Sequence, residues 1–431
     1  HFITLKAWLP AGGATSTSLR EEARRLVAEA TGAKYGYGRG GYREEDCVLF
    51  CGEGSTRGLQ VFVEAVGKGV IGGTQSMPVG TIAVFTSEVE HHSNLLPWRE
   101  SPHVSSVSTL DRDADGSVVD VKKLEKTLTK KKYSGDNVVR VVSVSLASNV
   151  TGQLTNVSAI VKTIKRLNDA LPGNSPRIEL VVDGATGFPY VDFKMCETIS
   201  AFVFSGHKCA GGGGGTPGVL IVKKRVLEGL LDANTKRDKQ LQPTPPSGGG
   251  GGTVFYVTEN SHRYLTRKVE RFEGGTPAIV ASWRLGLCMI LRRSKLDFPG
   301  EEEANRIVSD VLSSTPSIVT LGSQYHSASK LPIFPFLVRC GSRFLHYNFI
   351  CSLLSDLFGI QTRGGCVCSG PFSQKLLGID AAGNSEVENS LLAKWEVLRP
   401  GFTRFSTPAS MRTLERDYIL RAIKWVGEFG W

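Results

Sequence analysis

The sequence has no apolar run long enough to cross a bilayer, and its amino end carries no signal-peptide pattern, so we expect no membrane partner. Only ten tyrosines are present, and they do not cluster with the residues that give the net charge of +10. Single-stranded nucleic-acid binders combine basic residues with such stacking rings. Nucleic acid is therefore not the expected partner. The basic run "KKLEKTLTKKK" (122–132) is instead typical of a solvated helix face, with Leu124 and Leu128 as its buried stripe.

A regular disulfide pattern is also missing. The nine cysteines are an odd number and are spread over 431 residues, so we expect them to be reduced and mostly buried. That chemistry indicates an intracellular, reducing compartment, with the cytoplasm as first choice. The chain begins at His1, in an expected loop, and we expect an amino-terminal piece to be absent. Because a targeting sequence would be lost with that piece, an organellar location stays open.

Between about residues 18 and 225, amphipathic helix patterns alternate with short strands that are apolar throughout. The strand patterns are "CVLF", "TIAVFT", "VVRVVSVSL", "IELVVD", "AFVFS" and "GVLIV". The helix patterns include "SLREEARRLVAEATGA", "STRGLQVFVEAVG" and "VSAIVKTIKRL". Such alternation predicts an α/β fold in which a mostly parallel sheet lies between layers of helices.

The pattern changes after residue 286. An acid-capped helix (301–312), strands at 317–321 and 332–340, and a long final helix (413–429) indicate a smaller α+β unit. We therefore predict a large α/β domain over residues 1–285 and a small carboxy-terminal α+β domain over residues 286–431. Between the helix and strand patterns of the large domain, "QLQPTPPSGGGGG" (240–252) predicts an exposed loop.

In an open parallel sheet, ligands bind beyond the carboxyl ends of the strands, so the polar residues there are the candidates for chemistry. After the first strand, "CGEGSTRG" (51–58) is a glycine-rich turn that opens a helix at Ser55 and Thr56. Free amides and hydroxyls at such a turn suit a phosphate. The turn matches neither the Walker nor the dinucleotide fingerprint, and an ordinary strand-to-helix turn is the simpler interpretation of this segment alone.

His91 and His92 follow the next strand, and a histidine pair suggests a metal site. The chain has only eight histidines, and none has a second histidine and a carboxylate at the spacing of a helical zinc motif. We therefore expect no metal.

Three further strand ends carry Asn149 (with Ser148), Asp183 and Lys208. A carboxylate buried at a strand tip needs a cationic partner, which the sequence does not identify. A desolvated lysine has a lowered pKa and can form an imine, although a surface lysine is the simpler interpretation of Lys208 alone. Pyridoxal phosphate requires four such features together: a phosphate-binding turn, an acid, a histidine that stacks on its ring and a lysine that forms an imine.

The segment "DGATGFPYVDFKMCETISAFVFSGHKCAGGGGGTPG" (183–218) resembles the cofactor segment of class V aminotransferases, in particular the cysteine desulfurase and selenocysteine lyase branch. Further motifs of that family recur in order over nearly the whole chain. They are "EHHSNLLPW" (90–98), "SLASNVTG" (145–152), "FEGGTP" (272–277), "RGGCVCSGP" (363–371) and "TRFS" (403–406).

The resemblance implies the fold type I of pyridoxal phosphate enzymes and a set of roles. Lys208 would bond to pyridoxal phosphate as a Schiff base and move protons, Asp183 would pair with the pyridinium nitrogen, and His91 would stack on the ring. The full set of implied cofactor-binding residues is Ser55, Thr56, His91, Asn149, Asp183, Thr186, Ser205, His207, Lys208 and Thr276. Of these, Thr276 would reach the phosphate of a neighbouring subunit, which implies a homodimer with shared active sites.

For the substrate, the resemblance implies an amino acid whose carboxylate is bound by Arg404, with Asn149 nearby. Cys368 stands at the position of the persulfide-forming cysteine, whereas we interpret Cys366 as structural. The implied reaction removes sulfur (or selenium) from L-cysteine (or L-selenocysteine), gives L-alanine and leaves a Cys368 persulfide for a sulfur-acceptor protein. Thr186 replaces a usual glutamine, and Gly364 and Gly365 replace bulkier residues before the cysteine, so substrate choice could differ.

Three alternatives remain at this point. In a related class V aminotransferase, amino-acid lyase or epimerase, Cys368 would be only structural. A basic binding protein would use the glycine runs at 211–215 and 248–252 to contact RNA or phosphoinositide, and would be colourless. A silent homologue could serve as a scaffold for sulfur transfer, but a scaffold needs neither Lys208, Asp183 nor Arg404.

Overall fold

The computed structural model describes residues 11–38, 41–52, 54–69, 80–133, 138–172, 175–228, 245–295, 301–323, 329–408 and 411–431. The loop predicted at His1 and the first part of the predicted loop 240–252 lie outside these residues. From residue 245 to 252 that loop contains no helix or strand, as predicted.

A seven-stranded sheet forms the centre of the larger unit. A short antiparallel hairpin, β1 (Tyr35–Gly38) and β2 (Gly41–Glu44), precedes it. The strands of the sheet are β3 (Asp46–Cys51), β4 (Ile82–Thr86), β5 (Val104–Thr109), β6 (Val139–Ser145), β7 (Ile178–Asp183), β8 (Ile199–Ser205) and β9 (Gly218–Lys223). Their order is β3-β9-β8-β7-β6-β4-β5, and β9 alone runs antiparallel to its neighbours. The predicted mostly parallel sheet is confirmed.

The strands in the middle of this sheet are apolar on both faces because helices cover both faces. Every residue of β6, β7 and β8 is buried, as their continuous Val-, Ile- and Phe-rich sequences require. The strand β5 was not predicted. It lies at the sheet edge and carries serine and threonine on partly exposed positions, so its sequence lacks the apolar run that marked the others.

Five α-helices accompany the sheet in the described part of this region. They are α1 (Ala11–Thr31), α2 (Gly54–Gly69), α3 (Leu96–Glu100), α4 (Val121–Leu128) and α5 (Val157–Asp169). In α4 the side chains of Leu124 and Leu128 are buried and the lysines face solvent, which confirms the stripe predicted there. Asp120 caps α4 by accepting bonds from the amides of Lys122 and Lys123.

The remainder forms a hairpin, further helices and a second sheet. Its strands are β10 (Val254–Val257), β11 (His262–Tyr264), β12 (Ile318–Thr320), β13 (Ile333–Cys340), β14 (Arg343–Phe344), β15 (Arg363–Gly365) and β16 (Phe402–Ser406). Its helices are α6 (Lys268–Phe272), α7 (Ile279–Lys295), α8 (Glu301–Ser313), α9 (Tyr347–Phe358), α10 (Gly370–Leu376), α11 (Ala381–Leu392) and α12 (Thr413–Phe429). Strands β12 to β16 pair antiparallel, and a separate apolar cluster around Phe336, Leu354 and Ile423 packs beside them. A smaller α+β unit is thus present, while its predicted boundary at residue 285, inside α7, remains a prediction.

The two sheets meet beyond the carboxyl ends of the parallel strands. Val367, Phe372 and Phe402 come from the smaller unit but belong to the apolar core of the larger one. This contact carries the "RGGCVCSGP" segment to the edge of the large sheet where ligands bind in such folds. Among the described residues, no helix is long and apolar enough to span a bilayer.

Candidate active site

A cavity of about 170 Å³ opens at this edge of the large sheet. Its lining residues are Ser55, Thr56, His91, Ser145, Ala147, Asn149, Asp183, Ala185, Thr186, Ser205, His207 and Lys208. Nine of the ten residues predicted to bind the cofactor are therefore brought together. The tenth, Thr276, is exposed and is not among the residues that line the cavity.

One end of the cavity is built to bind an anion. The first amides of α2 point here, and the Ser55 amide donates to Ser205 Oγ over 2.9 Å. Gly54 adopts φ +68, and a Cβ there would lie 3.0 Å from Ser205 Oγ. Only glycine combines that backbone conformation with this approach. The helix end and its hydroxyls suit a phosphate group.

The five-glycine run lies against the short 3₁₀ turn that carries Lys208 (Gly206–Lys208). A Cβ at Gly212 would lie 2.2 Å from the carbonyl oxygen of Gly206, so the backbone itself packs against the turn. Gly211 and Gly213 have positive φ angles and allow the chain to fold back. The run thus fixes the position of Lys208.

Lys208 and Asp183 line the same cavity, close enough for the charge of Lys208 to favour the ionised form of Asp183. The Lys208 residue is exposed at the cavity, yet protein atoms around its amine exclude water and lower its pKa. Asp183 attracts the ammonium form and opposes this shift, whereas Arg404 adds to it. A lowered pKa increases the fraction of neutral amine, which is the nucleophilic form.

Asp183 is buried at the tip of β7, where one carboxylate oxygen accepts a hydrogen bond from the Ala185 amide over 2.9 Å. Burial raises its pKa, while that hydrogen bond and Lys208 act in the opposite direction. A cationic group bound in the cavity would stabilise its ionised form.

His91 is half-buried, and its Nδ1 accepts a hydrogen bond from the Ser93 amide over 3.1 Å. This bond places the ring proton on Nε2. Burial, followed by the nearby charges of Lys208 and His92, lowers the pKa of His91 to about 4. The ring is therefore neutral at neutral pH. A neutral, planar ring suits stacking on an aromatic ligand.

Cys368 is the one exposed cysteine among the nine, none of which forms a disulfide. Four of the others are buried and four are half-buried, so the prediction that most are buried is wrong, chiefly because the smaller unit leaves its cysteines near the surface. Asn149 Nδ2 donates to the Val367 carbonyl over 2.6 Å, and this bond docks the cysteine segment beside the cavity. Cys366 Sγ donates to the Pro400 carbonyl over 2.9 Å, and burial raises the pKa of its thiol.

Arg404 lies half-buried on β16 and donates to the carbonyl oxygen of Asn149. Burial lowers its pKa, and the adjacent Arg363 adds to that effect. Because Arg404 and Cys368 both alter the pKa of Lys208, they lie within electrostatic range of its amine. The guanidinium group is thus available for an anionic group bound near the Lys208 amine.

Sequence reasoning missed Glu90 and Ser145. Glu90 is buried and accepts bonds from Ser87, Asn94 and both the amide and hydroxyl of Ser145, while burial raises its pKa to about 7. A sequence signal for Ser145 was present, since it is a polar residue in the otherwise mostly apolar strand β6. Ser148, named at a strand end, instead accepts from the amides of its own loop.

The donor set fits pyridoxal phosphate in four respects: a helix end for the phosphate, a buried carboxylate for the ring nitrogen, a neutral histidine for the ring face and a lysine for the aldehyde. One observation adds to this fit. Asn149 Oδ1 is buried, lines the cavity and has no hydrogen-bond partner among the described residues. A ring hydroxyl could supply the missing donor. No group of three or more potential metal ligands occurs in the described part of the chain.

Residues 12–410 match the family model of class-V aminotransferases. The chain belongs to this family. Class-V aminotransferases are pyridoxal phosphate enzymes, and that cofactor fits the cavity described above.

Similar curated proteins are named cysteine desulfurases. The chain is 29% identical to a probable cysteine desulfurase of Chlamydia muridarum over 77% of its own length and 72% of that protein. It is 28% identical to the cysteine desulfurase SufS of Plasmodium falciparum over 40% of its own length and 29% of that protein.

Solved structures share the fold. A cysteine desulfurase from Thermococcus onnurineus gives a TM-score of 0.68 at 21% identity, over 96% of this chain and 85% of that one. The cysteine desulfurase CsdA from Escherichia coli gives a TM-score of 0.69 at 19% identity, over 97% of this chain and 86% of that one. The predicted fold type I architecture is confirmed.

Proposed function

We propose that the protein is a pyridoxal phosphate-dependent cysteine desulfurase, which removes sulfur from L-cysteine, or selenium from L-selenocysteine, and gives L-alanine. The observation that carries this proposal is the exposed thiol of Cys368, held beside a cavity that contains both Lys208 and Asp183. The names of the curated relatives support the same activity.

Pyridoxal phosphate, when bound, supplies an electron sink for the electron pair left on the substrate Cα. Asp183 would hold a proton on the ring nitrogen, and His91 would cover one ring face. Ser55, Ser205 and the amides of α2 would bind the phosphate. The Lys208 amine would bond to the aldehyde, remove the Cα proton and later return a proton to the product.

The Arg404 guanidinium binds the substrate carboxylate through two parallel hydrogen bonds. The Cys368 thiolate attacks the sulfur of the bound cysteine, so an S–S bond forms as the substrate Cβ–S bond breaks. The electron pair of the broken bond stays on carbon, which takes up a proton. L-cysteine and the Cys368 thiol are thereby converted into L-alanine and a Cys368 persulfide, whose outer sulfur passes to the thiol of an acceptor protein.

The proposal includes a homodimer in which Thr276 contacts the cofactor phosphate of the partner subunit. Two features of the single chain support it. The segment from Gly274 to Pro277 is exposed, and α7 directly after it exposes Val280 (63%), Leu287 (61%) and Ile290 (50%). An apolar surface of this kind on one helix marks an interaction site.

The test compares Cys368→Ser with Cys366→Ser in purified protein supplied with pyridoxal phosphate, L-cysteine and a thiol acceptor. Alanine formation should be lost in Cys368→Ser and largely retained in Cys366→Ser, while both variants keep the yellow absorbance that borohydride bleaches. Unchanged alanine formation in Cys368→Ser would contradict the proposal and favour an aminotransferase, lyase or epimerase with a structural Cys368.

A further inference from the structure

His92 has no role in the chemistry above, although it follows the ring-stacking His91 directly. Two of its hydrogen bonds are made with the cysteine segment. The His92 amide donates to the carbonyl of Cys368 over 2.8 Å, and its Nε2 accepts a hydrogen bond from the Gly370 amide over 2.9 Å. One residue of the 3₁₀ helix His92–Asn94, which follows β4, thus binds the backbone on both sides of Ser369.

The segment that His92 holds has a strained backbone. Val367 has φ 45 and Cys368 has φ 59, and in the described part of the chain Lys394 is the one other non-glycine residue with a positive φ. This left-handed region is unfavourable for side chains with a Cβ, most of all for a β-branched valine. Such backbone persists only where the surroundings enforce it, and it concentrates at functional sites.

Two more hydrogen bonds enforce the same conformation from neighbouring positions. Ser369 Oγ donates to the Glu90 carbonyl over 3.0 Å, and Asn149 Nδ2 donates to the Val367 carbonyl. Val367 and Ser369 are buried, whereas Cys368 between them is exposed. The turn therefore directs one thiol outward while its neighbours are fixed. Of these hydrogen bonds, only the one from the Gly370 amide to His92 Nε2 depends on the imidazole ring. A substitution of His92 therefore removes that bond and leaves the others in place.

We infer that His92 is a positioning residue, which holds the Val367–Cys368 turn in its left-handed conformation and thereby places the Cys368 thiol for attack on the substrate. This inference rests on the proposed function for its catalytic consequence, but not for its structural one. A neutral His92 ring is required, because only an unprotonated Nε2 can accept the Gly370 hydrogen bond.

The structural consequence is tested by hydrogen exchange of the peptide covering residues 366–372 in the full chain. His92→Ala should increase exchange of this peptide, while His92→Gln, whose side-chain oxygen can accept at the Nε2 position, should restore protection. His103→Ala is the control, since it removes an imidazole remote from the segment and should leave this peptide unchanged. Equal protection in His92→Ala and the unchanged protein would overturn the inference.

The catalytic consequence is tested in the same variants with two assays. Persulfide formation from L-cysteine should fall about tenfold in His92→Ala, the effect of one lost hydrogen bond, and should recover in His92→Gln. Exchange of the Cα proton of L-alanine requires Lys208 but not Cys368, so it should change less than about twofold. A parallel loss of both activities would overturn the positioning role.

The two proposals can fail separately. If the unchanged protein forms no persulfide from L-cysteine, the proposed function fails, and the exchange of residues 366–372 still decides whether His92 holds the turn.

Discussion

At the scale of single residues, the environment decides the chemistry of each side chain. The shared location of Lys208 and Asp183 was predictable from sequence, because Asp183 ends an apolar strand, Lys208 follows another, and both match a family motif. The contribution of His92 was not predictable, since its partner Gly370 lies 278 residues away in sequence and only the fold brings them together. Asn149 similarly contacts Val367 from across the molecule.

Arg404 gives a residue-scale prediction. Arg404→Lys keeps the positive charge but removes the planar pair of donors, so kcat/KM for L-cysteine should fall about 100-fold, mainly through KM. Steady-state kinetics of alanine formation measure this. Arg363→Lys is a matched control, because Arg363 pairs with Arg404 in the sheet register but is exposed. An unchanged kcat/KM in Arg404→Lys would show that positive charge alone binds the carboxylate, and equal losses in both variants would show that the effect is not specific to Arg404.

At the scale of secondary structure, the predicted elements were found wherever a pattern was continuous. Helix α12 has the bounds predicted for it, residues 413–429, because its apolar spacing is regular throughout. The direction of β9 was not predicted, since an apolar strand in "GVLIV" reads the same in either direction. Its antiparallel course follows from the short glycine connection, which leaves no helix to cross over.

The glycine run gives a prediction about that connection. Gly212→Ala should destabilise the fold by about 1–3 kcal/mol and weaken cofactor binding, because the new Cβ would collide with the backbone that carries Lys208. Gly214→Ala is the control, since nothing lies within 4 Å of a Cβ there. Denaturant unfolding and the absorbance of bound cofactor measure both effects. Indistinguishable variants would exclude a tight contact between the run and the turn.

A buried ion pair anchors the segment that leads to Thr276. Glu273 accepts bonds from the fully buried Arg24 over 2.8 Å and from the Phe50 amide over 2.6 Å. Glu273→Gln removes the closest charge partner of Arg24, leaving Glu21 at 3.5 Å, and should cost about 3–5 kcal/mol in denaturant unfolding. Glu303→Gln, which affects an exposed pair with Arg306, should cost less than about 1 kcal/mol.

The same pair predicts a pH dependence. Burial alone would raise the pKa of Glu273, but Arg24, Arg20 and the Phe50 amide together hold it below its ordinary value. Its folded pKa is therefore depressed, so its contribution to stability is present above the ordinary pKa of a glutamate and is lost as pH falls through the folded pKa. The stability difference between the unchanged protein and Glu273→Gln should shrink in that acidic range. A constant difference would contradict the ion-pair account.

At the scale of the whole molecule, the candidate site depends on assembly. The large sheet supplies Lys208 and Asp183, and the smaller unit supplies Cys368 and Arg404. The order of the motifs along the chain indicated this arrangement. The surfaces that meet are decided by long-range packing of residues such as Val367 and Phe372. The sequence does not reveal that packing.

The dimer is predicted at this scale too. Light scattering should give twice the chain mass, and Leu287→Asp should produce monomers with reduced cofactor retention, because a charge on α7 would be buried in the interface. Lys224→Asp is the control, as it changes charge at a partly exposed position directly after β9. A monomeric unchanged protein would contradict the shared site.

The most direct test of the central claim is the mass of the Cys368 peptide after the cofactor-loaded protein reacts with L-cysteine, without reductant or acceptor. The account predicts that this peptide gains the mass of one sulfur atom while one equivalent of alanine is released, and that Lys208→Ala shows neither. Alanine released with no mass gain on Cys368, or a mass gain that persists in Lys208→Ala, would contradict it.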